Sequence, residues 1–423
     1  MKDYDQSLWR KTCREQVESD PLNGDLTADL AVIGGGYTGC SAALTAARAG
    51  ASVCLLEAFD IGHGGSGRNV GLANAGLWLP PNDIRSHLGA QAGDRLIDLL
   101  AKAPAEVFDL IESERIDCEP VRGGTLHCAH SKSGLQDLKT RYEQLINTGA
   151  PVELLSADQT AQRTASTAFQ GALFDPRAGT IQPLAYVRGL ARAAQQAGAR
   201  VVTHTPAVSL RHAKGVWEAE TRSGTVRAKS VLQATNAYHL NLPDSDVAYV
   251  PVYYFQFATA PLSDNLRASI LPGGAGCWDT GLIMTSFRMD HDGRFIIGAM
   301  GDLGHAGSRA HTDWTKRKLR ALYPQLADQP LSEGWHGRIA MTSDHIPKIT
   351  QIGPNALSVH GFSGRGIGPG TVFGRLMAES LLTDDPSLLP VPAVEKHTEH
   401  WTGLRRTYFE TGAAVTHFLK ARL

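Results

Sequence analysis

Cysteine is scarce in this chain and nowhere paired. The 423 residues hold six cysteines, Cys13, Cys40, Cys54, Cys118, Cys128 and Cys277, with no C-x-x-C spacing. A thiol–disulfide redox motif and a structural zinc site both need closely spaced cysteines, so neither is expected and no metal ligand is assigned. Charge of one sign is missing as well. Forty-one Lys and Arg stand against 42 Asp and Glu, a net of −1, without the basic stripe that a nucleic-acid partner requires. No apolar run approaches the length of a membrane span, and the first twenty residues, MKDYDQSLWRKTCREQVESD, lack the apolar core of a secretory signal. These absences point to a cytoplasmic protein with no integral membrane segment. No Ser/His/Asp or paired-carboxylate arrangement stands out to which catalysis could be assigned. The length suffices for two domains, each with its own core.

What is present begins at residues 28–57, ADLAVIGGGYTGCSAALTAARAGASVCLLE. A short apolar run, 30–33, has the length of a buried parallel strand. It stops at Gly34, Gly36 and Gly39, which have G-x-G-x-x-G spacing. The first glycine permits a sharp turn, the second lets backbone approach a pyrophosphate, and the third lets helix and strand pack closely. The alanine-rich helix that follows ends at Gly50 and turns its N-terminal N–H groups and dipole toward the phosphates. A second strand ends in Glu57, whose carboxylate can accept both ribose hydroxyls and would repel a 2′-phosphate. Strand, helix, second strand and terminal acid together predict a dinucleotide site. Cys40 and Cys54, inside this unit, are expected to be small core residues.

Two further glycine clusters follow. Residues 61–78, IGHGGSGRNVGLANAGLW, form a permissive loop carrying Ser66, Arg68 and Asn69 as donors. Near the other end, His360 leads into GFSGRGIGPGTVFGRLMAESLL, where a strand again runs through glycines into a helix. Backbone N–H groups and a helix N-terminus are presented a second time to an electron-rich ligand. Between these lie helical stretches at 93–116 and 133–148 around a short strand at 124–129. A meander over 200–228 then leads into a third parallel strand at 230–234. A second sheet starts at 250, with a hairpin turning at Asp292-Gly293. The lead 1–27, carrying Trp9, is expected on the outside of the first domain.

With the three clusters in this order, the chain resembles the D-amino-acid oxidase-like superfamily of FAD-dependent oxidoreductases. The similar blocks are GGGYTG with Glu57, GGSGRN, ATNAY, FRMDHDGRFIIGAMG, TSDHIP and GFSGRGIGPG. The GGSGRN form resembles the branch of gamma-glutamylputrescine oxidase. The resemblance implies an α/β fold, with a Rossmann-like FAD-binding domain of glutathione-reductase type (1–85, 150–240 and 335–423) and a mixed-sheet α+β substrate domain (86–149 and 241–334). It implies that Gly34, Gly36, Tyr37, Thr38 and Gly39 cradle the pyrophosphate, and that Glu57 and Ala58 meet the ribose. Gly65, Ser66, Gly67, Arg68 and Asn69 would line the flavin, and Val208 would meet adenine. Ala234 and Thr235 would follow the pyrophosphate, with Gly364, Arg365, Gly366, Ile367 and Gly368 at the flavin edge. One relative branch holds flavin through a cysteine just before the segment matching Thr342. None stands there, so the FAD is expected to be non-covalent, with His63 the nearest histidine to the flavin loop.

The chemistry the resemblance implies is hydride removal from a C–H bond next to an amine nitrogen, with the imine product then hydrolysing. The partners would be a small amine or amino acid and oxygen or another electron acceptor. A 2-hydroxy-acid dehydrogenase using a quinone-type acceptor, or a flavin-binding protein without turnover, remain open on the same fold. No catalytic acid or base is assigned. Candidates for the substrate pocket are Arg338, whose planar guanidinium suits a carboxylate, Tyr253 and Phe255, which share one strand face, and His360; Trp78 and Trp335 are possible walls. The stripe Trp401, Leu404, Tyr408, Val415 and Phe418 in the tail reads as a helix packing on its own domain, with a membrane surface or a partner as the alternative.

Overall fold

The structure is a computed structural model and describes residues 6–19, 21–239, 242, 248–304 and 307–419. Lys420 and Arg422 of the tail lie outside them. Leu26–Ile33 runs at the middle of a nine-stranded sheet. Its parallel neighbours are Gly224–Gln233 on one side and Val53–Leu56 on the other, with Val32 opposite both Leu232 and Leu55. Strands buried on both faces must be apolar throughout, which is why all four residues of Val53–Leu56 are buried. Arg200–Val202 and Ala356–His360 extend the parallel run at its two sides. The meander predicted over 200–228 divides accordingly. Its first three residues form a parallel strand, and only 209–233 folds back on itself.

Helix Tyr37–Arg48 lies on this sheet with ten of its twelve residues buried. Its small side chains allow a close approach by helix Ile367–Thr383. A methyl group at Gly374 would stand 2.3 Å from the Thr38 carbonyl oxygen, so only glycine allows this contact. Ser41 Oγ donates to the Thr371 carbonyl at 2.7 Å across the same contact.

The second sheet has eight strands, in the order Leu331–Met341, Val250–Thr259, Phe295–Met300, Thr285–Met289, Gly276–Asp279, Thr125–Cys128, Ala172–Asp175 and Glu153–Leu155. It is mixed: Gly276–Asp279 and Thr125–Cys128 run parallel, and the other pairs are antiparallel. This differs from the expected division. Glu153–Leu155, Ala172–Asp175 and Leu331–Met341 belong to the second sheet, although 150–175 and 335–341 were expected with the first. Conversely, Leu96, Leu100, Val107 and Phe108, from helices Ala90–Ala101 and Ala103–Ser113, join the core of the first sheet's helices. The pattern at 86–149 shows helices but not which sheet their apolar faces cover.

The N-terminal lead also departs from expectation. Trp9 is fully buried, its ring 5.7 Å from Trp335 and its Nε1 donating to the Asn69 carbonyl at 2.8 Å. Ser7 Oγ donates to the Gly67 carbonyl at 2.8 Å. The lead is a strap under the second glycine loop.

Candidate functional site

A cavity of about 400 Å³ lies where the two sheets meet, and all three glycine clusters open onto it. At the first, Gly34 adopts φ +110°, and a methyl there would stand 2.8 Å from the Ala234 carbonyl. Gly39 packs the helix on the strand so closely that a methyl would lie 1.9 Å from the Gly34 carbonyl. It does not line the cavity; its role is the close packing expected of the third glycine. Gly34, Gly36, Tyr37 and Thr38 do line it. Neither Tyr37–Arg48 nor Ile367–Thr383 has a side-chain N-cap. Ser66 Oγ accepts from the Tyr37 N–H at 3.1 Å, and the remaining first-turn N–H groups and positive dipole ends of both helices point at one space, which is what a pyrophosphate and a reduced flavin ring require.

Glu57 accepts from Gly35 N–H at 2.6 Å and from Phe59 N–H at 2.9 Å. Burial pushes its carboxyl upward, while the N–H groups of Gly35 and Phe59 pull it down. A carboxylate has about four acceptor directions, so lone pairs remain for a ribose diol. Ala58, Ala234 and Thr235 line the same end of the cavity. Val208 does not. Its N–H is engaged by the Glu220 carbonyl at 2.8 Å and its side chain is exposed, while Pro206 and Ala207 take the cavity position. Glycine clusters and a terminal acid mark their own places; a backbone contact from an irregular segment leaves no such mark.

In the second loop Gly65, Ser66, Arg68 and Asn69 line the cavity. Much of their donor capacity is spent bracing the loop itself. Asn69 Nδ2 donates to Tyr37 Oη, Gly65 O and Ser66 O, and Arg68 donates to the carbonyls of His63 and His336. Gly67 packs beneath, where a methyl would stand 2.3 Å from the Gly62 carbonyl. In the third cluster Gly364, Arg365, Gly366 and Ile367 line the cavity, whereas Gly368 packs on Ala103.

The substrate-facing wall corrects three expectations. Tyr253 and Phe255 do share a face of Val250–Thr259, but it is the one turned away. Phe255 is buried against His311, Trp314 and His417, and Tyr253 lies beneath the Arg406 guanidinium. Val252, Tyr254 and Gln256 face the cavity instead. Both faces of this strand are covered, so VPVYYFQFAT shows no alternation to set the register. His360 is buried away from the cavity, its Nε2 at 3.1 Å from the Ala248 carbonyl. Trp78 is a cavity wall, whereas Trp335 is fully buried and donates to the Arg68 carbonyl.

Tyr254 Oη is held by Ser286 Oγ and the Gly298 carbonyl, both at 3.0 Å. Gln256 is 1 % exposed, and its Oε1 is buried without a hydrogen-bond partner. A methyl at Gly298 would sit 2.2 Å from that oxygen, so the glycine makes room for the amide. A buried amide left unsatisfied on a cavity wall is costly unless a ligand completes it. The signal was present in the sequence as a lone amide in an apolar strand. Arg338 also lines the cavity, half-buried, its guanidinium 4.7 Å from the Tyr238 ring centre and with no carboxylate partner among the described residues.

Residues 29–380 match the protein family described as FAD dependent oxidoreductase. The chain is 31% identical over 395 residues to a protein named probable oxidoreductase OrdL of Rhizobium meliloti, covering 92% of each. It is 29% identical over 391 residues to gamma-glutamylputrescine oxidoreductase of Escherichia coli, covering 91% of this chain and 90% of that one. Among solved structures, L-amino acid deaminase from Proteus myxofaciens superimposes with a TM-score of 0.74 at 16% identity, covering 92% of this chain and 97% of that one. Glycine oxidase from Geobacillus kaustophilus gives 0.69 at 20%, covering 85% and 95%.

Proposed function

This chain belongs to the family of FAD dependent oxidoreductases, and from that premise we propose that it oxidises a small amine or amino acid at its C–N bond. Bound FAD supplies the hydride acceptor, and the substrate leaves as an imine that water hydrolyses to a carbonyl and a smaller amine. The protein binds, orients and keeps dry. Gly34, Gly36, Tyr37 and Thr38 with Ala234 and Thr235 hold the pyrophosphate, Glu57 the ribose, and the loops at 65–69 and 364–367 the flavin ring. The lack of a cysteine in the segment before Thr342 supports non-covalent binding.

The observation that carries the reading is the unsatisfied Gln256 amide on the wall facing the flavin loops. A turn of the Gln256 amide, whose oxygen is sealed against Gly298, brings that oxygen to accept from the substrate amine, and Tyr254, fixed by Ser286, holds the strand face beneath. Trp78, Trp278, Met284 and Met300 line the same region. Apolar surroundings disfavour an ammonium ion, so the amine reacts neutral, with the lone pair that hydride loss needs. No protein base is then required, in keeping with the lack of a catalytic dyad. Arg338 offers a cation to an anionic group of the substrate. Oxygen or another electron acceptor would be the second substrate. The six unpaired cysteines support a reducing, cytoplasmic setting.

The test is anaerobic bleaching of the holoenzyme's flavin absorbance by a panel of amines, amino acids and 2-hydroxy acids. Amines or amino acids should bleach it. Bleaching by hydroxy acids alone would make the protein an alcohol dehydrogenase, and bleaching by none would leave a flavin-binding protein without turnover.

A further inference from the structure

Two guanidinium groups near the cavity, Arg365 buried and Arg141 half-buried, have no carboxylate in hydrogen-bonding contact among the described residues. Arg365 is 8 % exposed and lies between two indoles, 4.7 Å from the Trp78 ring centre and 4.8 Å from that of Trp278. It donates to the Ala75 carbonyl at 3.3 Å, and its Nε has no partner. Arg141, on helix Lys132–Ile146, donates to the Trp78 carbonyl at 2.7 Å. Both face a second cavity of about 70 Å³. Arg365 and Trp278 line this chamber and the FAD cavity alike, so Arg365 stands on the shared wall.

The other polar groups of the chamber do not neutralise them. Asp175 is held in a fork by Arg177, at 2.9 and 2.7 Å. His127 is stacked on Trp278 at 5.1 Å, and burial holds it neutral. The charged side chains lining the chamber are thus Arg141, Arg177 and Arg365 against Asp175, while Asp83 and Asp137 act on Arg141 from outside it. A desolvated cation without a counter-ion is strongly disfavoured, and burial pulls Arg365 down to about 9. A water needs roughly 10–15 Å³ of such free space, so the chamber admits a group the size of a carboxylate.

We propose that this chamber is a carboxylate subsite formed by Arg365 and Arg141, and that it takes the remote carboxylate of an amine substrate whose reacting end lies at Gln256. The second half rests on the amine-oxidation reading; the first does not. The two indoles hold the Arg365 guanidinium flat, so its fork is pre-set for a planar anion. Leu77 and Leu100 in the chamber wall accommodate a methylene chain. Arg338, half-exposed, keeps its water when no anion is present. The desolvated Arg365, with Arg141 beside it, therefore discriminates carboxylated from plain amines.

Two measurements on the holoenzyme test this. Sodium acetate, titrated at constant ionic strength, should change tryptophan fluorescence saturably through Trp78 and Trp278. Arg141→Met should weaken it about tenfold, the loss of one charged hydrogen bond, and Arg141→Lys should retain part of the affinity, both with unchanged flavin content. Under anaerobic conditions δ-aminovalerate should reduce the flavin about tenfold more efficiently than pentylamine, a preference that Arg141→Met erases. Absence of saturation, equal acetate affinity in Arg141→Met, or a preference that survives it would overturn the subsite. Saturable acetate binding that Arg141→Met weakens, with neither amine bleaching the flavin, would uphold the chamber and overturn the amine-oxidation reading instead.

Discussion

At the scale of single residues, the site is set by which side chains have their hydrogen bonds complete. Asn69, Arg68 and Tyr254 are largely satisfied by the protein and act as bracing. Gln256 is not, and the account makes it the residue that meets the amine. Gln256→Leu removes the acceptor while keeping much of the volume, so flavin content should stay at the wild-type level. The efficiency of flavin reduction by the best amine should fall about tenfold, the worth of a neutral hydrogen bond of ~1 kcal/mol or slightly more. Stopped-flow reduction reads this directly, and an unchanged rate would remove Gln256 from the site. Residue-level legibility was uneven for a physical reason. Gly34, Gly39 and Glu57 are dictated by backbone geometry and a strand end, and their spacing can be read. Whether Tyr253 or Tyr254 faces the flavin depends on a one-residue register in a strand covered on both sides, and nothing local encodes it.

At the scale of elements, two attachments were hidden in the sequence. The N-terminal strap places Trp9 under the flavin loop, with Gln182 Nε2 donating to its carbonyl at 2.9 Å. Trp9→Ala should cost about 3–5 kcal/mol of stability, as large buried truncations do, and should speed FAD release because the 65–69 loop loses its floor. Denaturant melts and flavin-release kinetics measure both; loss of stability with unchanged release would detach the strap from cofactor binding. The C-terminal helix Thr402–Leu419 is fastened differently. His417 and His311 meet at 2.7 Å through their Nδ1 atoms, so one must donate and the other accept, and the two rings cannot both be protonated. Burial pulls His311 down to about 4 and His417 to about 3. Their folded values lie below the unfolded value of ~6.5, so the unfolded chain binds more protons between the two. This contribution is complete above about pH 6.5 and is lost as pH falls through about 4 toward 3. The melting temperature should drop over that window, and His311→Phe/His417→Leu should flatten the drop; an equal slope in the double variant would show that other groups carry it. The tail's apolar stripe is helical, as its spacing predicts, but it does not pack on its own domain. Trp401, Leu404 and Tyr408 are exposed, while His417 faces the domain.

At the scale of the whole molecule, the opening and closing helices cross at glycine so that their N-termini share one space, and the loop between them is braced to both sheets. The two-sheet plan was legible because each strand–glycine–helix junction is a local event. The membership of Glu153–Leu155, Ala172–Asp175 and Leu331–Met341 in the second sheet was not, since pairing partners far apart along the chain are chosen by packing and not by neighbours in sequence. The central claim is that three backbone hollows converge on one FAD. Titration of the purified, flavin-depleted chain with FAD, followed by absorbance, tests it most directly. The account predicts saturation at one FAD per chain, with all the flavin released into solution when the protein is denatured. A chain that never acquires flavin absorbance would contradict it.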